Sequence, residues 1–190
     1  MRSIVNGAMQ MERTHITIWM KDVFLVYDKS CFYEIVILNY FMSFSNCEQV
    51  FCSLDGKPVR TMEGFSVNVD MPLEALEKDQ IRSFILPGGN IAEIDTPEVK
   101  SYLQALMKRE ILIAGICAGV DVLDHAGILC DVKSTHSSDE DWVTDKNVIT
   151  ARANAYVDFA VEVAKKLDLF ASEDDLQETI NFWKHYQRVQ

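Results

Sequence analysis

Residues 115–119 read Gly115-Ile116-Cys117-Ala118-Gly119, a thiol framed by small residues. The spacing G-x-nucleophile-x-G is what a tight strand-to-helix elbow requires. Its turn is strained, so the flanking positions must be small, and the reactive atom is left above the end of the strand. Beyond it, "AGVDVLDHAGIL" reads as a helix closed by Gly127, which places Cys117 near the helix's positive end and predicts a stabilised thiolate. The competing reading is a buried structural cysteine, because free cysteine is among the most buried residue types. The elbow spacing, the apolar run before it and the rule that open α/β sheets carry their sites at the carboxyl ends of strands favour function.

A reactive thiol needs a group to manage its proton. Glu34 is the only charged residue in "CFYEIVILNYFMSF" and falls in the first turn of the helix read there. Apolar burial would favour its neutral form and the helix N-terminus its anion, and either could serve: one donates a hydrogen bond, the other accepts a proton. A carboxyl that caps the helix and faces water is the alternative. His136, in the polar loop "KSTHSSDED", could reach the elbow from beyond a strand end, although an isolated loop histidine is more often a surface residue. His125, in the helix after the elbow, reads as structural. Pro87-Gly88-Gly89-Asn90 follows the run "SFIL", and its glycines would let backbone N–H groups, with that of Ala118, approach a bound oxygen. A plain turn explains those glycines equally well, so their weight comes from coincidence with the elbow. Cys47, Cys52 and Cys130 read as core or surface fillers, and neither a CxxC nor a zinc-ligand spacing is present, so no metal and no cofactor is expected.

The elements that must position these residues are short apolar runs alternating with amphipathic stretches. "VFLVY" (23–27), "QVFCSL" (49–54), "SFILP" (83–87), "ILIAGI" (111–116) and "NVITA" (147–151) suit parallel strands buried on both faces. "TPEVKSYLQALMKRE" opens with Thr96 as N-cap and Pro97 at the first helical position, with Val99, Leu103 and Leu106 on one stripe. "YVDFAVEVAKKLDLF" repeats the pattern, and Ser172 caps a last helix that ends near Tyr186. The alternation predicts an α/β sandwich with a mostly parallel sheet. "SLDGKPVRTMEGFSVNVD" (53–70) breaks the rhythm and reads as a small edge β-hairpin. Residues 1–21 form an extension of uncertain role, and 22–190 a single domain. The helix "FYEIVILNYFM" is apolar nearly all round, which predicts burial in part against a second subunit.

Composition bounds the rest. The 190 residues, 48% apolar and 25% charged, suit one globular domain. With 18 basic and 29 acidic residues the net charge is −11, which repels phosphate backbones and anionic lipid and argues against nucleic acid and membrane partners. Five cysteines, an odd number without a disulfide pattern, together with the absence of a long apolar run, point to the cytoplasm.

"ILPGGN", "AGICAG", "VLDHAGIL", "STH" and "VITARANAYVDFAVEVAKKL", in this order, resemble the ThiJ/PfpI family, relatives of the Parkinson-linked thiol protein and of class I glutamine amidotransferase domains, over roughly residues 22–170. The resemblance implies a flavodoxin-like three-layer α/β sandwich, usually a homodimer, with a cysteine at the nucleophile elbow. It matches that cysteine to Cys117, the glutamate beside it to Glu34, the histidine of the Parkinson-linked branch to His136, and the backbone pocket to Gly88 and Gly89. Three departures accompany it. Ala118 stands where the protease-like branch has a histidine, which weakens a peptidase reading; Val120 stands where proline is frequent; and "ARA" (151–153) replaces "SRG". The implied function is a cofactor-free thiol enzyme acting on small reactive carbonyl compounds, of the glyoxalase or deglycase type. The rivals are a stress-response redox sensor through oxidation of Cys117 and another carbon–nitrogen hydrolase or hydratase of the superfamily.

Overall fold

The computed structural model describes residues 20–45 and 47–188. The extension at 1–21, to which the sequence assigns no role, lies outside the described residues apart from its last two positions. The described elements are β1 (Lys21–Leu25), α1 (Tyr33–Met42), β2 (Glu48–Ser53), β3 (Val59–Arg60), β4 (Ser66–Val67), β5 (Met71–Pro72), β6 (Ile81–Leu86), α2 (Pro97–Met107), β7 (Leu112–Ile116), α3 (Ala118–His125), β8 (Trp142–Asp145), β9 (Val148–Ala151), α4 (Tyr156–Lys166) and α5 (Glu173–His185).

Seven strands form one sheet in the order β5-β2-β1-β6-β7-β9-β8, and every pairing except β8 with β9 is parallel. Alternation along the strands sorts side chains into two layers. From β1, Val23 and Leu25 join Phe84, Leu86 and Ile113 against α2 and α3, where Leu103, Leu106, Val120 and Leu123 are buried. Phe24 and Val26 face the other way with Ile85, Ala114 and Ile116, against Ile35 and Leu38 of α1 and Phe159, Ala160 and Val163 of α4. Helices on both faces of a parallel sheet give the α/β sandwich that the alternating pattern predicts, in the three layers that the family resemblance implies. Among the described residues no helix is long and apolar enough to cross a membrane.

Helix starts follow local chemistry. Thr96 Oγ1 accepts from the Val99 N–H at 3.3 Å with Pro97 just inside α2, and Ser172 Oγ accepts from the Asp175 N–H at 3.2 Å at the start of α5. Two features escape the sequence pattern. The edge strand β8, "WVTD", runs antiparallel to β9 and buries only Val143. The residue 53–70 segment does form a hairpin, but β3 and β4 pair with each other as a separate two-stranded sheet and β5 takes the edge of the main one. That hairpin folds back over the β1–α1 connection: the Lys29 N–H donates to Arg60 O at 2.7 Å and the Met62 N–H to Ser30 O at 2.9 Å.

Candidate active site

Three connections at the carboxyl ends of adjacent strands converge: β1 to α1, β6 to α2 and β7 to α3. The third is the elbow. Cys117 follows β7 directly and precedes α3 with φ 56° and ψ −131°, a conformation that costs a residue bearing a Cβ on the order of 1–3 kcal/mol. Bonds on both sides hold it there. The Cys117 N–H donates to Ala151 O at 2.9 Å, and its carbonyl accepts from the Val120 N–H at 3.0 Å. Gly119 is small because the first turn of α3 runs against the end of β6; a Cβ there would lie 2.3 Å from Leu86 O. The thiol is half-buried.

Gly88 is the hub of the second connection. A Cβ on it would sit 2.6 Å from Cys117 Cβ, 2.9 Å from Sγ and 2.8 Å from the Ala118 nitrogen, so any side chain would displace the thiol. Its N–H donates to Glu34 Oε2 at 2.7 Å, and its carbonyl accepts from the Cys31 N–H and from the Tyr27 hydroxyl, both at 2.8 Å. Tyr27, fully buried, also donates to Pro87 O at 2.9 Å, and this two-way bond fixes the Pro87-Gly88 carbonyls. The Gly88 N–H is committed to Glu34, so it is not a donor for a bound oxygen.

Glu34 occupies the first turn of α1 and is 1% exposed. Both forces read from the sequence act on it, and burial wins. Desolvation pushes its carboxyl up from 4.5 to about 7, while the Gly88 N–H, the Cys117 thiol and Tyr33 pull the other way. Its Oε1 is buried without a full hydrogen bond. The carboxyl is therefore partly protonated near neutral pH, beside a thiol that keeps its own proton. The effect on Cys117 corrects the sequence expectation of a stabilised thiolate. Burial and the Glu34 charge hold the thiol above its ordinary value, and the Ala118 N–H only partly offsets them. A short helix's dipole does not overcome desolvation plus a carboxylate at contact.

His136 lies on the flank of α3. Its Nε2 is 3.2 Å from Asp121 and its Nδ1 3.4 Å from Asp124. Glu34, the Ala118 N–H and Asp121 act on Cys117, and Asp121 is also the partner of His136 Nε2, so this carboxylate lies between imidazole and thiol in the charge network. His125, read as structural, pairs with Asp95 on the surface at 3.0 Å.

The structure also brings in residues that sequence reasoning passed over. Glu63, at the tip of the β3–β4 hairpin, accepts from the Tyr33 N–H at 2.9 Å, covers the start of α1, and adds negative charge near Glu34. Nothing local marks it, because the contact spans 30 residues. Tyr33 lies beside the carboxyl, and burial together with Glu34 pushes its hydroxyl up to about 12. Cys31 sits in the β1–α1 connection three residues before Glu34, a position that its place beyond the first strand could have flagged. Among the described residues no group of three or more His, Cys, Asp or Glu is placed to hold a metal ion.

A doubly wound, mostly parallel sheet with helices on both faces, a thiol on the elbow of a central strand and a buried carboxyl against it defines a class of three-layer α/β proteins. Comparison with known proteins narrows the class: the family model described as DJ-1/PfpI matches residues 20–166, and the chain belongs to the DJ-1/PfpI family. It is 32% identical over 153 residues, 70% of each chain, to YoaZ of Bacillus subtilis, which is named an uncharacterized protease. A DJ-1 superfamily protein from Agrobacterium tumefaciens superposes with a TM-score of 0.79 at 26% identity, over 88% of this chain and 100% of that one. DJ-1beta of Drosophila melanogaster shares the fold at 20% identity, with a TM-score of 0.72 over 86% of this chain and 97% of its own.

Proposed function

We propose that the protein is a cofactor-free, cysteine-dependent enzyme for small reactive carbonyl compounds, of the glyoxalase or deglycase type. The observation that carries this reading is the buried Glu34 carboxyl, titrating near neutral pH and set against the Cys117 thiol. A base of that strength suits proton shuttling. At pH 7 a large fraction is ionised, yet it binds a proton firmly enough to hold it during reaction. Cys117 adds to an aldehyde carbon as Glu34 takes the thiol proton. The S–C bond forms, the carbonyl π-electrons move to oxygen, and the oxyanion is met by the N–H groups of Gly89 and Ala118. Glu34 then returns its proton to that oxygen, giving a neutral hemithioacetal. Direct proton transfer rests on Glu34 alone; His136, held by Asp121 and Asp124, sets the charge on the flank of α3.

A peptidase reading is disfavoured despite the name of the Bacillus relative. Ala118 follows the nucleophile, so no imidazole is adjacent in sequence, and His136 bonds to carboxylates instead of the thiol. We also read the active form as a cytoplasmic homodimer, because α1 exposes Val36 and Tyr33 beyond its buried face, and sedimentation showing only monomer would overturn that. The enzyme reading is tested with methylglyoxal: wild-type protein turns it over and the Cys117→Ala variant loses at least about 100-fold of that rate. Equal rates for the two proteins would refute it.

A further inference from the structure

We propose that Cys31 is a resolving thiol: when a hydroperoxide oxidises Cys117, Cys31 closes a disulfide with it across the mouth of the pocket and switches the site off reversibly. The inference goes beyond carbonyl chemistry and does not depend on it.

The geometry rests on Gly88. Cys31 and Cys117 belong to connections from β1 and β7, the two strands that flank β6, and the turn after β6 lies between them. On one side of Gly88 its carbonyl accepts from the Cys31 N–H at 2.8 Å. On its other side the space a methyl would fill lies 2.9 Å from Cys117 Sγ. Glycine places no side chain in the gap. Both cysteines are half-buried, neither sealed in the core nor on an open surface. The other three are differently placed: Cys52 is fully buried, the Cys47 thiol donates to Met20 O at 2.8 Å, and Cys130 is exposed after α3.

Charge supports the pairing. The Cys31 thiol is pushed up to about 11 by burial, Glu34, Cys117 and Glu63, so it rests protonated inside the field of the reactive thiol. Glu34 acts on both thiols and can accept a proton from either.

The chemistry balances. The Cys117 thiol gives its proton to Glu34, and the sulfur attacks the peroxide. An S–O bond forms, the O–O bond breaks, and the leaving oxygen takes back the proton held by Glu34 and departs as water or an alcohol, giving the sulfenic acid and a carboxylate. Cys31 then attacks that sulfur as Glu34 takes its proton. The S–S bond forms, the S–O bond breaks, and water leaves. Two electrons have passed from the two thiols to the peroxide. A disulfide requires the two Cα atoms to lie within roughly 4.4–6.8 Å, so bond formation draws the segment carrying Cys31 over Gly88 toward the elbow. The bond stops oxidation before the irreversible sulfinate and is opened by a dithiol.

The test is intact-mass analysis with peptide mapping after stoichiometric hydrogen peroxide. Wild-type protein is expected to lose two hydrogens, yield a peptide pair joined through Cys31 and Cys117, and regain both thiols with dithiothreitol. The Cys31→Ser variant, near-isosteric at a half-exposed position and checked by its melting curve, is expected to gain oxygen at Cys117, progressing to a sulfinate that dithiothreitol does not reverse. The proposal is overturned if wild-type Cys117 gains oxygen while Cys31 stays alkylatable, if Cys117 does not react, or if it pairs with Cys130 or another chain. None of these readouts uses a carbonyl substrate, so failure here is distinct from failure of the enzyme reading.

Discussion

At each end of β1 a buried carboxyl sits beside a thiol, and the two pairs are built differently. At the amino end, Asp22 is fully buried; its Oδ1 accepts from Ser83 Oγ at 2.6 Å and Arg82 Nε at 3.1 Å, and its Oδ2 lies 2.5 Å from Arg82 Nη2. The neighbouring Cys47 donates to Met20 O, and burial and Asp22 push its thiol up to about 12. At the carboxyl end, Glu34 is as deeply buried but forms no ion pair among the described residues, and one of its oxygens lacks a full bond. An ion-paired carboxylate bonded on both oxygens ties neighbouring strands together. A buried carboxyl without an ion-pair partner holds its proton up to near neutral pH, and in the proposed mechanism it is the group that takes the thiol proton. The molecule separates structure from chemistry by where it puts a guanidinium.

The sharpest way to break that comparison is to neutralise the unpaired carboxyl. Glu34→Gln keeps the shape and removes the base, so turnover of a carbonyl substrate is expected to fall by roughly 10²–10⁴-fold. In the same variant, alkylation of Cys117 by iodoacetamide at pH 7 should become faster, because a charge that holds the thiol up has gone. The opposite signs separate chemistry from damage. A fall in both rates would mean that the variant had disordered the elbow, and unchanged turnover would remove Glu34 from the mechanism.

Next in size is the paired carboxyl. Asp22→Asn takes the counter-charge from a guanidinium whose side chain is only 14% exposed, and is expected to cost about 3–5 kcal/mol of folding stability in urea titrations. Alkylation of Cys117 should be unchanged, since Asp22 is not among the groups that act on it. A loss below about 1 kcal/mol would show that the amino-end cluster is not a structural tie.

How far each end was legible follows from the range of the contacts. The elbow could be read because its requirements are local: Gly115, Cys117 and Gly119 lie within five residues, and the strand and helix they join carry their own periodicity. Thr96, Pro97 and Ser172 were legible for the same reason. Glu34 stood out as a single charge in an apolar helix, but its protonation did not, because the outcome depends on Gly88, 54 residues away, and on the depth of burial. The expected thiolate failed on the same long-range carboxyl. Arg82 and Ser83 are ordinary residues in their own strand, and only the parallel pairing of β1 with β6 brings them to Asp22. Glu63 was missed because the hairpin packs back over the β1–α1 connection, which no turn signal announces, whereas Cys31 carried a local signal, its place just beyond the first strand.

The smallest effect is a slope, and its sign follows from the same contrast. In the unfolded chain Glu34 titrates near 4.5, in the folded protein near 7. Between those values the native state holds a proton that the unfolded state has lost, so stability falls as pH rises. The contribution is fully present below about 4.5 and is lost as pH climbs through about 7, with a total of roughly 3 kcal/mol for a group 1% exposed. Other carboxylates add their own slopes, so the clean quantity is a difference. Wild-type stability minus that of Glu34→Gln, from urea titrations at a series of pH values, should decline from about pH 4.5 to about 7.5 and then level off. A paired carboxylate predicts the reverse, a difference that grows with pH from the acid side. A flat or rising difference at Glu34 would mean that its charge is compensated in the folded state, and the contrast between the two ends of β1 would collapse.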